Sequence, residues 1–301
     1  MQLRRIVIGM DFSDTAIAAA RWVASDFAPG AELVFVHVVD PPPRTRFGRA
    51  AAPPATTVVD AAADFARHRL DEVTTFVTNL ATKRVVRVGH PHDGLIAAAR
   101  ELDAELVVVG QHGDRPRPWK PLGTTADRLV RGSPIPVLVV ASPPAHPPRE
   151  ILAAVDDADI STCVLQWTRE LARAFDADVT LMHVLSNAVY SHVTSMAHAH
   201  HAHSEEEAQA EVRHEMEEEG VRWIESLAHE GFAEGRANAA VTFGDPADAL
   251  LTMAASVHTE LMVLGRHGSG AVAPALLGST LGTVLAGAPC PVLVVTCPPR
   301  T

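Results

Sequence analysis

Short apolar runs alternate with longer segments of helical periodicity along the first half of the chain. The runs predict strands at 5–9, 32–39, 84–88, 106–109 and 137–140, and the segments between them predict helices at 14–26, 57–80, 94–102 and 124–130. Near-continuous valine, isoleucine and leucine runs are typical of parallel strands that are buried on both faces. This alternation predicts a doubly wound α/β domain, which binds ligands at the carboxyl ends of its strands.

The same pattern occurs twice in the chain. The first copy contains RRIVIGMDFS and then VRVGHPHDGLIAAA, and the second contains REILAAVDDA and then VTFGDPADALLTMA. Between the copies lies ASPPAHPPRE, whose four prolines are typical of a semi-rigid linker. We therefore predict two tandem domains, 1–143 and 149–301, joined by a linker at 144–148, and we expect a five-stranded parallel sheet flanked by helices in each.

The composition indicates a folded protein with negative charge. Hydrophobic residues make up 47% of the chain, which is enough for a core, and charged residues make up 20%. The net charge of -11 has the wrong sign for a protein that binds nucleic-acid phosphates. The first apolar run is too short for a signal peptide or a membrane span. We expect a cytoplasmic protein that binds neither nucleic acid nor membrane.

A glycine pattern follows the fourth strand of each copy. The first copy has GQHG from Gly110, nine residues and then GTT, and the second has GRHG from Gly265, nine residues and then GST. Glycines let backbone amides approach a phosphate, and a helix N-terminus supplies unpaired N–H groups. A tight turn followed by a helix cap is the alternative for a single copy. The identical spacing in both copies favours phosphate binding.

Together with an aspartate at the end of the first strand of each copy, this pattern resembles the universal stress protein family in its tandem two-domain form. The resemblance implies a Rossmann-like fold of the adenine nucleotide alpha hydrolase type. It also implies a stress-response sensor that binds ATP, with or without magnesium, at one site per repeat and signals to a protein partner. The last strands, 136–140 and 291–295, would meet in an internal pseudo-dimer, and a further homodimer stays open.

The resemblance also implies which residues bind the nucleotide. In the first repeat they are Asp11, Val38, Gly110, His112, Gly113, Gly123, Thr124 and Thr125. In the second repeat they are Asp156, Val184, Gly265, His267, Gly268, Gly278, Ser279 and Thr280. The nine-residue loop carries Arg115, Arg117 and Lys120 in the first copy and no charge in the second. We therefore expect two sites of unequal affinity.

Other features have competing interpretations. The second copy has a histidine-rich insertion at 188–203, and its His198, His200, His201 and His203 predict a zinc or nickel site, with a solvated loop as the alternative. His37 and His183 recur at the ends of apolar strands and are expected in the core. No residue is assigned a catalytic role. Slow ATP hydrolysis, autophosphorylation at the threonines and serine named above, or a metal-responsive scaffold are the alternative functions.

Overall fold

The computed structural model describes residues 3–41, 55–78, 80–113, 122–186, 205–266 and 279–297. By its internal contacts the chain divides into unit 1, Met1–Pro147 with Cys290–Thr301, and unit 2, Pro148–Pro289. The last strand of the second sequence repeat therefore belongs to unit 1.

Unit 1 is built from strands and helices in alternation. Its strands are β1 (Arg5–Gly9), β2 (Glu32–Val39), β3 (Thr82–Val88), β4 (Leu106–Gly110) and β5 (Val137–Val140). Its helices are α1 (Asp14–Trp22), which continues into a π-helical turn over Val23–Phe27, α2 (Ala55–Val73), α3 (Pro91–Glu101) and α4 (Thr124–Gly132).

Unit 2 repeats this order. Its strands are β6 (Glu150–Ala154), β7 (Asp178–Ser186), β8 (Ala237–Gly244) and β9 (Leu261–Gly265). Its helices are α5 (Ile160–Phe175), α6 (Glu205–Gly231), α7 (Pro246–Ser256) and α8 (Ser279–Gly287). The final strand, β10 (Val292–Val295), follows in unit 1.

Strands β1 to β5 of unit 1 and β6 to β9 of unit 2 pair in parallel, as expected for a doubly wound domain. In unit 1 the order is β3-β2-β1-β4-β5, and Val7 of β1 lies between Val34 of β2 and Val107 of β4. In unit 2 the order is β9-β6-β7-β8. The chain reverses its direction of winding between β1 and β4, which is where such sheets bind ligands. The predicted fold class is confirmed.

Strand β10 pairs with β5 in the antiparallel direction. Leu293 lies opposite Leu138 in this pair, and the Thr296 hydroxyl donates a hydrogen bond to the Pro134 carbonyl at 3.1 Å. All four residues of each strand are buried. Pairing covers the exposed edge that β5 would otherwise present to water.

Several boundaries differ from the sequence-based prediction. Helix α3 begins at Pro91 rather than at 94, because proline is favoured in the first turn of a helix. Helix α2 ends at Val73 rather than at 80, where a run of β-branched residues gives way to a turn closed by the bond from Val77 N to Thr74 O. Strand β3 begins two residues early, and Lys83 pairs there with Glu32 at 2.9 Å.

None of the helices in the described ranges is long and apolar enough to span a membrane.

The aromatic side chains of unit 1 provide a test of where the core lies. Phe35 of β2 is fully buried, whereas 67% of Phe65 on α2 is exposed to solvent. We expect Phe35→Ala to lower the free energy of unfolding by about 3–5 kcal/mol, because it removes a large side chain from a packed interior. Phe65→Ala is the matched control and should change it little. Urea unfolding measures both, and equal effects would contradict this assignment of the core.

Candidate functional site

A cavity of about 330 Å³ opens at the carboxyl ends of β1, β2 and β4. It is lined by all of the residues that the resemblance implies for the first repeat: Asp11, Val38, Gly110, His112, Gly113, Gly123, Thr124 and Thr125. The cavity lies at the reversal of strand order, where the topology of the sheet leaves space above the strand ends.

The wall of the cavity also includes residues that neither the glycine pattern nor the resemblance assigns to a site. Val36, Leu95 and Val109 provide apolar surface, and Gln111 lies within the glycine loop. Val36, Val109 and Gln111 lie within two residues of the predicted site residues Val38 and Gly110. Their nearness in sequence could have identified them as cavity residues. Leu95 comes from α3, and its approach depends on Gly9, where an added methyl group would lie 3.0 Å from the Leu95 side chain.

The Asp11 carboxylate is held by the turn that links β1 to α1. Its Oδ1 atom accepts hydrogen bonds from the Ser13 amide at 3.0 Å and from the Ser13 hydroxyl at 2.5 Å. The same hydroxyl accepts a bond from the amide of Ala16 at 3.2 Å and so caps α1. The spacing Asp-x-Ser allows this geometry, which leaves Oδ2 beside Gly113.

The glycine loop packs closely against its neighbours. The Thr15 hydroxyl of α1 donates to the His112 carbonyl at 2.6 Å, and the Gly123 amide donates to the Gln111 carbonyl at 2.9 Å. A methyl group at Gly123 would lie 2.8 Å from that same carbonyl oxygen, and one at Gly113 would overlap the Asp11 carboxylate. These glycines are thus required by packing within the protein as well as by any ligand.

The N-terminus of α4 faces the cavity without a side-chain cap. Gly123 occupies the capping position in an extended conformation and has no side chain that could accept a bond from the first helical amides. Thr124, Thr125 and Ala126 all line the cavity. Because the first amides of a helix lack an intrahelical partner and carry partial positive charge, this end can bind an anion.

His37 fixes the end of β1. Its Nδ1 atom lies 2.7 Å from the Met10 carbonyl, and its ring stacks on Phe12 with centroids 4.6 Å apart. Burial lowers the pKa of His37, although the Met10 carbonyl and the Asp11 charge oppose this shift. The imidazole is therefore neutral at neutral pH. His37 is half-buried and lines the cavity, so it does not lie in the core as expected.

The second repeat places some of its implied residues in the same way. Asp156 follows β6, Val184 lies on β7, and Gly265 ends β9, so three neighbouring strands bring them to one edge of the sheet. Asp156 Oδ1 accepts bonds from the Ala158 amide at 3.1 Å and from the Ser161 hydroxyl at 2.9 Å. Ser161 of α5 thus replaces the serine that follows the aspartate in the first repeat.

The remaining implied residues of the second repeat are described only in part. Ser279 is the first residue of α8, and Thr280 is its second. His267, Gly268 and Gly278 lie outside the described residues, as do His198, His200, His201 and His203 of the predicted metal site. Within the described ranges, no three histidine, cysteine, aspartate or glutamate side chains form a group that could hold a metal ion.

The lowered pKa of His37 predicts a pH-dependent stability. The unfolded chain takes up a proton near the ordinary value of 6.5, whereas the folded chain resists it to lower pH. The free energy of unfolding therefore falls as the pH falls below 6.5. We measure the free energy of unfolding in urea at neutral and at mildly acidic pH. The decrease in this free energy on acidification should be smaller for His37→Asn than for the unsubstituted chain. The exposed His68→Asn is the control, and an equal loss in all three would contradict the assignment.

Comparison with known proteins identifies a family for both repeats. The model described as "Universal stress protein family" matches residues 2–141 and 148–296. The universal stress protein Rv2623 of Mycobacterium tuberculosis is 27% identical, and the match covers 96% of this chain and 95% of that protein. The universal stress protein YxiE of Bacillus subtilis is 29% identical over 147 residues, covering 48% of this chain and 97% of that protein.

A solved structure has the same fold. The crystal structure of a universal stress protein from Archaeoglobus fulgidus matches with a TM-score of 0.67 and 14% identity, covering 96% of this chain and 95% of that one.

Proposed function

We propose that this chain, which belongs to the universal stress protein family with two tandem family domains, is an ATP-binding sensor of the stress response. One observation carries the proposal. A single cavity in unit 1 brings together a fixed aspartate, an apolar wall, a glycine loop and an uncapped helix N-terminus. This combination suits a ligand with a flat polar base at one end and phosphates at the other.

The base would lie toward β1 and β2. Val36 and Val38 provide an apolar surface of the kind on which an aromatic base packs. Asp11 Oδ1 is already occupied by Ser13, so the other carboxylate oxygen is the natural acceptor for a ligand donor. The amino group of adenine is a hydrogen-bond donor of that kind, which favours an adenine nucleotide.

The phosphates would lie toward β4 and α4. Backbone amides of the glycine loop and of the first turn of α4 are the donors, and the threonine hydroxyls at 124 and 125 add to them. A magnesium ion would be bound mainly through the phosphates themselves, as is usual for this ion. No lysine of the kind found in P-loop sequences is needed for this mode of binding.

Nucleotide binding would change the conformation of unit 1 through the contacts around the cavity. The bond from Thr15 to the His112 carbonyl links α1 directly to the glycine loop. A nucleotide that orders the loop would then favour one arrangement of α1, and a protein partner in the cytoplasm would recognise that arrangement. Such signalling requires that ATP bind the two arrangements with different affinity.

The second repeat would hold a second site with a different affinity. Asp156 is fixed in a comparable way to Asp11, but Asp157 follows it where the first repeat has Phe12. A second carboxylate close to a bound nucleotide would weaken the binding of its phosphates. We therefore place the tighter site in the first repeat.

Calorimetric titration of ATP with magnesium into the full chain tests this function. We expect saturable binding with a stoichiometry near two. Gly113→Ala should weaken one site by about tenfold or more, because its methyl group would displace the Asp11 carboxylate and cost at least one hydrogen bond.

Gly132→Ala is the matched control, since a methyl group at the end of α4 meets nothing within 4 Å. Its titration should be unchanged. Absence of binding at millimolar ATP, or equal effects of the two substitutions, would contradict the proposed site. Gly268→Ala extends the test to the second repeat and should weaken only the other site.

A further inference from the structure

A histidine holds the same backbone atom in both units. His37 Nδ1 lies 2.7 Å from the Met10 carbonyl, and His183 Nδ1 lies 2.9 Å from the Val155 carbonyl. Each carbonyl belongs to the residue immediately before the aspartate of its repeat. Because a carbonyl oxygen only accepts hydrogen bonds, Nδ1 carries the proton and donates in both units.

The packing around the two rings differs although the hydrogen bond is the same. In unit 1 the imidazole stacks on Phe12 at an interplanar angle of 23°. In unit 2 it meets Trp223 of α6 edge-on, at 89° and a centroid distance of 5.1 Å. The histidine therefore packs against a different aromatic residue in each unit, while its hydrogen bond to the carbonyl is the same. The bond to the carbonyl, rather than a particular aromatic contact, is the common feature.

The position of this bond matters for the aspartate. The Met10 carbonyl and the amide and Cα of Asp11 share one planar peptide unit, so fixing the carbonyl fixes the plane from which the Asp11 side chain departs. The chain turns sharply after this point, since Phe12 has a φ of 68°. The left-handed region is unfavourable for a bulky residue, and nearby interactions must hold the chain there.

The two sides of the aspartate are therefore held separately. Ser13 donates two bonds to the Asp11 carboxylate from the side of α1. The histidine holds the preceding peptide from the side of β2, and the Met10 amide donates to the Val36 carbonyl at 2.9 Å. Removing the histidine would take away the bond to the Met10 carbonyl and so loosen the peptide between Met10 and Asp11. The serine bonds to the Asp11 carboxylate would remain.

We propose that His37 and His183 are positioning residues, each of which fixes the peptide before Asp11 or Asp156 and so sets the carboxylate for the ligand. The part that concerns the ligand rests on the proposed nucleotide sites. The part that concerns the aspartate turn does not, and it can be tested without any nucleotide.

Hydrogen exchange of the free protein tests the turn directly. His37→Leu fills the same space with an apolar side chain that has no hydrogen-bond donor. The amides of residues 11–16 should then exchange about tenfold faster, because losing one hydrogen bond raises the equilibrium constant for local opening by about that factor. His37→Asn keeps an N–H donor close to the position of Nδ1 and should restore slow exchange. His68→Leu, an exposed histidine on α2, is the matched control and should exchange like the unsubstituted chain.

The second unit gives an independent variant if His37→Leu does not fold. His183→Leu should accelerate exchange at residues 156–161, where the Ala158 amide donates to Asp156. Unchanged exchange in the folded variants, or failure of asparagine to restore it, would overturn the positioning role.

Titration of the same variants with ATP and magnesium separates this proposal from the proposed function. We expect His37→Leu to weaken one site about tenfold and His37→Asn to bind normally. If the unsubstituted chain binds no ATP, the proposed function fails while the exchange result still decides the role of the histidines. Faster exchange together with unchanged ATP affinity would overturn the link between the turn and the ligand.

Discussion

Two hydrogen bonds from Ser13 to one oxygen of Asp11 fix the turn on which the cavity of unit 1 depends. The turn ends β1, starts α1 and directs a carboxylate toward the space above the strand ends. It also sets where α1 begins, and Thr15 in the first turn of that helix then reaches the carbonyl of His112. A short side-chain network thus joins the end of β1 to the glycine loop after β4.

The second repeat reaches a comparable arrangement with different residues. Its aspartate is followed by Asp157 and Ala158, so no serine lies two positions on, and Ser161 of α5 donates to Asp156 instead. Ser161 also accepts a bond from the Asp156 amide at 2.9 Å. The bond from a serine hydroxyl to the aspartate is therefore kept although the local sequence differs, because a helix residue supplies the hydroxyl that the turn itself lacks. The backbone of the turn differs, since Phe12 has a positive φ and Asp157 does not.

Much of the fold follows from the sequence pattern, because buried parallel strands and amphipathic helices have distinct periodicities. The bounds of β1, β2 and β5 were predictable from their predominantly apolar runs. Strand β3 was predicted less well, since its first two residues, Thr82 and Lys83, are polar and the strand lies at the edge of the sheet. Helix α2 was predicted too long, because periodicity continues past the β-branched residues that end it.

The glycine spacing marked the loop and the helix start that border the cavity of the first repeat, because glycines occur where backbone approaches backbone or ligand, whereas the resemblance implied Asp11 and Val38. Other features depended on tertiary structure. Nothing in the local sequence indicates that His37 reaches the Met10 carbonyl, since the two residues meet only when β1 and β2 pair. The location of β10 in unit 1 likewise arises from contacts distant in sequence.

A crystal structure of the chain grown with ATP and magnesium would show whether the cavity of unit 1 holds an adenine nucleotide, as we propose. We expect density for the base between Asp11 and Val38, with phosphates on the glycine loop and the first turn of α4. An empty cavity at saturating ATP, or phosphates at any other position on unit 1, would contradict it.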